Sequence, residues 1–370
     1  GAFYVWTKQE IEAALEPQEA AIFNEYYGVA AGGNAPAQGD PHGEFKGENI
    51  LHVARPFETV AGRLNQTPEE VAGVLQHARA RLFALRAERP RPHLDDKIIV
   101  AWNGLMISAF ARAAQLLGDE EYFVAARHAA DFIRETLYDE SARTLKRHFR
   151  DGAADVPAFA EDYALLVRGL LDLYEACFDV EYLQWAETLN DTLIREFYDE
   201  KEGGYFSAPQ DPRVLLRMKE DYDGAEPSPN SAGTENNLRL AQLLDRTDLK
   251  AKAEQTMAAF APRVLQQPAG APLLLSAGMT AATPPLHIVI VGDKNDEATR
   301  SLLRAAHEPF LPHKTLILLD EASREFWHAR LEWLRGMEKQ DGKAAAYVCR
   351  DFACRAPVTS GEMLQAELEG

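Results

Sequence analysis

Apolar residues recur at helical spacing through most of the chain, and one long segment of this pattern occurs twice. Shifting the sequence by 60 residues places residues 102–140 on residues 162–200 without a gap, and nine of the 39 positions are identical. Each copy holds two apolar-periodic stretches joined by a short turn, which indicates an αα-hairpin. One helix pair cannot bury its apolar face alone, so the repeat predicts helix pairs stacked into an array or a ring.

Other signals place further elements along the chain. Thr7 to Glu10 form a capping box that opens a first helix, and Thr67-Pro68 begins a helix that ends near residue 88. The opening run GAFYVWT has the composition of a strand, residues 28–49 read as a long loop, and a third helix pair is predicted over 231–265. We expect the chain to begin inside a longer natural polypeptide.

The periodicity changes after residue 285. Two short apolar runs, 286–292 and 314–320, flank a predicted helix over 295–306. This order is typical of a βαβ unit with parallel strands. A third strand is predicted over 344–351 and a terminal helix over 360–369. The expected fold is therefore mainly α: an N-terminal segment (1–59), an α/α-hairpin toroid domain (60–283) and a small α/β domain (284–370).

Composition narrows the classes of function. The chain has 370 residues and a net charge of −19, from 58 acidic and 39 basic residues. Such a charge repels nucleic acids and anionic membranes, and no apolar run approaches the ~18 residues that span a bilayer. Three cysteines do not make a disulfide framework, so we expect a cytoplasmic protein in which Cys349 and Cys354 are two structural thiols. No metal or cofactor is expected.

Paired acids next to an aromatic residue precede the inner helix of each of three successive predicted hairpins. In such a ring, the loops before the inner helices gather at the concave face. Helix capping needs one acid per helix, whereas glycosidic chemistry needs a pair of carboxylates and aromatic rings that stack on sugars. The candidate catalytic residues are Asp162, Asp96, Asp223 and Glu161. The candidate substrate-binding residues are Asp95, His93, Trp102, Asn103, His148, Tyr163, Arg217, Tyr222 and Asn230.

The same loops resemble a known family. RPHLDDKIIVAWNGLMI, FAEDYALLVRGLLDLYEA, GGYF followed by KEDYDGAEPSPNS, and YVCRDFACRAPV resemble the spermatogenesis-associated thioredoxin-domain family and its bacterial relatives. The resemblance implies an α/α toroid of the six-hairpin glycosidase and N-acylglucosamine 2-epimerase type. It covers the chain but not the family's thioredoxin domain, so no redox function is implied, and about half of a six-hairpin ring is expected.

Three functions compete at this point. The first is a glycoside hydrolase that acts on small glycosides through the loop carboxylates. The second is a sugar epimerase or isomerase, which needs bases on both sides of a carbon next to a carbonyl; His93 and His148 are the candidate pair. The third is a non-catalytic binding scaffold. Because a partial ring leaves apolar helix flanks uncovered, we also expect the chain to form homo-oligomers.

Overall fold

The computed structural model describes residues 2–35, 40, 42–152, 155–212, 214–351 and 353–369. These residues form two compact units, Gly1–Asp95 and Asp96–Gly370. The division therefore falls between Asp95 and Asp96, whereas the sequence predicted boundaries at 59/60 and 283/284. Each unit is described by itself below.

The first unit is a small helical body. Its helices are α1 (Lys8–Ala14), α2 (Pro17–Tyr27), α3 (Phe57–Leu64) and α4 (Pro68–Ala87). Both predicted helix starts are confirmed, since Thr7 and Thr67 each form a capping box with the glutamate three residues on. The opening run is not a strand: Trp6 makes one isolated bridge to Asn49, and its ring belongs to the core of this unit.

The second unit begins with the repeated hairpins. Its first seven helices are α5 (Val100–Leu117), α6 (Glu120–Thr136), α7 (Ala160–Cys177), α8 (Val180–Phe197), α9 (Pro229–Leu244), α10 (Thr247–Gln266) and α11 (Pro272–Ala282). The helices α5, α7 and α9 pack side by side, and each of α6, α8 and α10 packs mainly on the helix before it. The bounds of α5 and α7 differ by 60 residues, so the repeat predicted from the sequence is confirmed.

Two glycines set how closely α5 and α7 approach. A Cβ atom on Gly104 would lie 2.5 Å from the carbonyl oxygen of Leu165, and one on Gly169 would lie 2.5 Å from that of Gly104. Carbon atoms do not approach carbonyl oxygens this closely, so any side chain here would push the two helices apart. The glycines therefore fix the crossing that brings the first turns of α5 and α7 together.

Short strands accompany the helices. The pairs are antiparallel: β1 (Ile98–Ile99) with β4 (His148–Phe149), and β2 (Tyr138–Asp139) with β3 (Thr144–Leu145). The C-terminal sheet contains β5 (Leu286–Val291), β6 (Lys314–Leu319), β7 (Ala345–Arg350) and β8 (Ala353–Cys354), in the order β6-β5-β7-β8. Around it lie α12 (Glu297–His307), α13 (Arg324–Arg330), α14 (Gly361–Glu369) and a 3-10 turn at Glu332–Gly336. Another 3-10 turn, Pro268–Gly270, connects α10 to α11.

The C-terminal sheet confirms the predicted βαβ unit, since β5 and β6 are parallel and α12 connects them. Its hydrophobic core is continuous with that of the helices: the Tyr174 ring of α7 lies 6.2 Å from the Trp327 ring of α13. The mainly α fold with a small C-terminal α/β part is thus confirmed.

The expectation of two structural thiols is wrong. Cys349 and Cys354 are joined by a disulfide. The reason is local: β7 and β8 form a tight antiparallel hairpin whose register places Cys349 directly opposite Cys354. Cys177 is the free cysteine among the described residues.

Candidate functional site

The N-terminal ends of α5, α7 and α9 lie at one end of the helix layer, and Asp162 ties the first two together. Its Oδ1 accepts a hydrogen bond from the backbone N–H of Ala101 at 3.1 Å. Its Oδ2 accepts from the N–H of Phe159 at 2.9 Å and from Arg147 Nη1 at 3.2 Å. Asp162 therefore caps α7 and at the same time satisfies an N–H in the first turn of α5.

Asp162, one of the candidate catalytic residues, therefore has a structural role. Asp162 is 0% exposed, and three N–H donors occupy its two oxygens. Burial raises the pKa of Asp162 to about 6, although the backbone N–H of Phe159 and the charge of Arg147 oppose the shift. An ionised carboxylate is thus held inside the fold, where no substrate atom reaches it without moving α5 or α7.

We expect Asp162→Asn to change how stability depends on pH. The folded-state pKa lies above the unfolded value of 3.8, so the proton on Asp162 stabilises the fold below pH 4, and this contribution is lost as pH rises through about 6. An asparagine does not titrate. The unfolding free energy of the wild type relative to the variant should therefore fall by on the order of 3 kcal/mol between pH 4 and pH 7. Urea denaturation of both proteins across this range measures it. Parallel profiles would mean that Asp162 does not titrate there.

Arg147 connects the cap to an accessible carboxylate. Its Nη1 lies 2.8 Å from Glu161 Oε1, and its guanidinium lies 4.8 Å from the centre of the Phe159 ring. The Glu161 side chain is 20% exposed, in contrast to its neighbour Asp162. Glu161 therefore presents a carboxylate to solvent beside a fixed positive charge at the start of α7.

Two further acids come from the loop before α9. Partial burial and then the negative charges of Glu161 and Glu226 raise the pKa of Glu220. The Oε2 atom of Glu226 is buried and accepts no hydrogen bond from the described residues. Because charges act on a pKa over short distances, the three glutamates form one acidic cluster.

The beginning of α5 contributes an aromatic face. Trp102 follows Ala101 directly and is 57% exposed, so its ring is available to a ligand. Asn103 donates from Nδ2 to the carbonyl oxygen of Ile99 at 2.9 Å, which fixes the first turn of the helix. His148 is half-buried on β4, opposite Ile99 in the short ladder.

The structure gives several other predicted site residues structural partners. Asp223 accepts from the N–H groups of Ser228 and Leu273, both at 2.9 Å, and thus caps the starts of α9 and α11. Asp96 pairs with Arg150 at 2.7 Å. Tyr163 was expected to stack on a sugar, but its ring is buried and its hydroxyl accepts the N–H of Leu145 at 2.8 Å. It presents no face to a ligand.

The remaining candidates are either held by structural contacts or exposed to solvent. Asn230 is buried and holds the hairpin through the backbone of Tyr205 and the carbonyl of Glu220. Arg217 donates to two backbone carbonyls and stacks on Phe206, with its guanidinium 4.1 Å from the ring centre. The exposed residues are Tyr222 in the second unit and His93 and Asp95 in the first unit.

Sequence reasoning did not propose Glu220 and Glu226 as catalytic residues. Both lie in a loop without periodicity, where the spacing of residues does not predict which way a side chain points. The available signal was the repetition of acids in one loop, six residues apart. Within the described ranges, no group of three or more His, Cys, Asp or Glu side chains is arranged to hold a metal ion. None of the described helices combines the length and the apolar character needed to cross a membrane.

Comparison with known proteins identifies relatives by sequence. Human and mouse spermatogenesis-associated protein 20 are each 35% identical to the chain over 97% of its length. Over this range the chain is similar in sequence to spermatogenesis-associated protein 20. It spans about half the length of these curated relatives, 48% in both cases. An uncharacterized protein of Caenorhabditis elegans is 31% identical over 99% of the chain and 51% of its own length.

No protein-family model matches the chain. Among solved structures, cellobiose 2-epimerase from Bacillus thermoamylovorans is 18% identical, with a TM-score of 0.39 over 46% of each chain. A GH76 α-mannanase from Bacteroides thetaiotaomicron is 15% identical, with a TM-score of 0.39 over 46% of this chain and 47% of that one. An unsaturated glucuronyl hydrolase from Bacillus sp. GL1 is 16% identical, with a TM-score of 0.37 over 52% and 56%.

Proposed function

We propose that the ends of α5, α7 and α9 form the active site of a carbohydrate-active enzyme of the glycoside hydrolase type. The observation that carries the proposal is the cluster of Glu161, Glu220 and Glu226 beside Arg147, with the exposed Trp102 ring at the start of α5. Hydrolysis of a glycosidic bond needs a carboxylic acid that keeps its proton and a carboxylate that is ionised.

The surroundings of the glutamates differ in the way this chemistry requires. Neighbouring negative charges and partial burial help Glu220 to keep a proton, so it is our proton donor to the leaving oxygen. Arg147 Nη1 lies 2.8 Å from Glu161 Oε1 and holds this carboxylate in place, so Glu161 is the nucleophile or the base that activates water. Asp162 positions Arg147 and is not assigned a proton-transfer role.

The other parts of the site have roles that follow from their chemistry. The Trp102 ring offers a flat apolar face of the kind that stacks on the C–H side of a sugar ring. The buried Oε2 of Glu226 has no donor within the part of the chain that the structure describes, and a sugar hydroxyl is a suitable partner for such an atom. A small glycoside bound here would meet an aromatic platform, a proton donor and the carboxylate of Glu161.

The first test is turnover by the full chain of a panel of para-nitrophenyl glycosides with neutral and acidic sugars. We expect release of nitrophenol from at least one member, and loss of this activity in Trp102→Ala without loss of helix content. If no glycoside is cleaved but a reducing sugar exchanges the proton next to its carbonyl, the site is that of an epimerase. Silence in both assays, with sugar binding that depends on Trp102, would mean a binding scaffold.

A further inference from the structure

A cavity lies beside the C-terminal end of α9, away from the glutamate cluster. Its volume is about 560 Å³, and its walls include residues of α9, α11, β5, the 3-10 turn Glu332–Gly336 and the β7–β8 hairpin. Glu220 and Glu226 precede the first residue of α9, whereas the cavity contacts Ala241 and Asp245 at the end of this 16-residue helix. Such a helix is about 24 Å long, so the cavity is separate from the candidate active site and independent of the function proposed above.

Apolar groups form the larger part of the cavity walls. Leu238 of α9, and Leu331 and Met337 on either side of the 3-10 turn, are buried side chains that line it. The disulfide of Cys349 and Cys354 adds a polarisable apolar group from the β7–β8 hairpin. Covering such a surface with an apolar molecule, in place of water, lowers the free energy.

Three neutral polar side chains of the walls already have partners within the fold. Thr280 and Thr283 each donate the hydroxyl hydrogen to a backbone carbonyl of α11. His287 Nε2 donates to the carbonyl oxygen of Gln242 at 3.2 Å. Burial lowers the pKa of His287, although the carbonyl of Gln242 and the charge of Asp245 oppose the shift, so its ring is uncharged at pH 7. These groups therefore need no hydrogen bond from a ligand.

The charged residues of the walls do not favour an ion of either sign. Asp245, Asp351 and Lys250 are exposed and therefore belong to the mouth of the cavity. The guanidinium of Arg246 pairs with three carboxylates that are not part of the walls. Among the described residues of the walls, two acids thus accompany two bases, and neither charge predominates.

Trp333 presents an aromatic ring to the cavity. It belongs to the 3-10 turn and is 41% exposed. The ring packs at a steep angle against the His287 ring, with the two ring centres 5.8 Å apart. This contact positions the indole, and its exposed part is available to a ligand. Aromatic rings gain energy from edge-to-face and offset stacked contacts, so the ring favours an aromatic partner.

The size of the cavity fits a small molecule better than a peptide. Small-molecule sites have volumes of about 300–1,000 Å³, and this cavity lies within that range. An α-helix with its side chains is about 10 Å across, so little more than one helical turn would fill the same volume. A ligand of a few rings is therefore the occupant that the walls can enclose.

We propose that this cavity binds a small uncharged organic molecule whose flat aromatic ring packs against Trp333. Leu238, Leu331 and Met337 contact the remaining apolar surface of the ligand. The molecule is recognised by its shape and by the apolar area that it buries, because the polar side chains described above are already paired or lie at the mouth.

The experiment measures binding of phenylnaphthylamine, an uncharged aromatic dye that fluoresces in apolar surroundings, to the full chain by fluorescence titration. We expect saturable binding of one dye per chain. The affinity should be at least ~10-fold lower in Trp333→Ala, which removes the ring, and in Ala281→Phe, which fills the cavity from α11. Two matched controls should bind as the wild type does: Ala282→Phe, at the exposed neighbour of Ala281, and Trp102→Ala, in the candidate active site.

Three results would overturn the proposal. The first is the absence of saturable binding, and the second is an affinity that neither Trp333→Ala nor Ala281→Phe changes. The third is weaker binding in Trp102→Ala, since the dye would then lie in the candidate active site. The anionic analogue anilinonaphthalene sulfonate tests the charge of the ligand: if it bound more tightly than the neutral dye, the uncharged class would be wrong. Circular dichroism establishes that each variant is folded, and Trp333→Ala decides the outcome if Ala281→Phe does not fold.

Discussion

Replacing Glu161 with Gln should lower the rate of glycoside cleavage at least ~100-fold for every leaving group. The amide keeps the shape of the side chain but cannot act as a nucleophile or activate water. Replacing Glu220 with Gln removes the proton donor instead, so the loss should be large for a poor leaving group and small for nitrophenol, which leaves without protonation. Steady-state rates of both variants on both kinds of glycoside distinguish the two roles.

A matched control for these variants is Glu254→Gln, an exposed glutamate of α10 outside the cluster. It should leave the rates unchanged. The raised pKa of Glu220 also implies that activity falls as pH rises through that pKa, and Glu220→Gln should remove this alkaline limb. The assignment would be contradicted if Glu161→Gln and Glu220→Gln lost activity equally for good and poor leaving groups.

The second large effect concerns stability. Asp172→Asn should lower the free energy of unfolding by about 3–5 kcal/mol at pH 7, because it leaves two guanidinium groups without their carboxylate. Burial alone would raise the pKa of Asp172, but the charges of Arg239 and Arg112 hold it at about 2. Its ionised form thus stabilises the fold above pH 4, and this contribution is lost as pH falls through about 2.

Urea denaturation at pH 7 and pH 3 measures both parts of this expectation. Asp191→Asn is the control, because Asp191 pairs with Arg246 at the surface, where such a pair contributes about 0–1 kcal/mol. The gap between the wild type and Asp172→Asn should narrow at the lower pH. A loss of stability no greater than that of the control would mean that the two arginines find other partners.

The repeated hairpins and the βαβ unit were predictable because long apolar periodicity fixes both the type of element and its buried face. The bounds of α5, α7, β5 and β6 agree with the sequence to within a few residues. Helix starts with a capping box were equally clear, since Thr7 and Thr67 have their glutamate partners only three residues away.

The site was less predictable because its residues are defined by contacts between distant segments. Asp162 looked like one of a pair of loop acids, and only the approach of α5 shows that its second oxygen belongs to the N–H of Ala101. The spacing of Cys349 and Cys354 also did not reveal that their two strands form an antiparallel hairpin. Glu226 lies in a proline-containing loop. The course of this loop depends on its contacts with the rest of the fold and is not predicted by a sequence pattern.

The glycine contact between α5 and α7 makes the two copies of the repeat structurally different. In the shifted alignment Gly104 corresponds to Ala164, and Gly169 corresponds to Ala109, so the two copies are not interchangeable. The next step of the array uses different chemistry: Asn236 of α9 donates to the carbonyl oxygen of Ala164 at 2.7 Å. A further copy of the first hairpin would fit neither neighbour. Adding a hairpin by duplication would therefore require a new set of contacts between the added helix and its neighbour. The interfaces between neighbouring helices thus determine the number of hairpins.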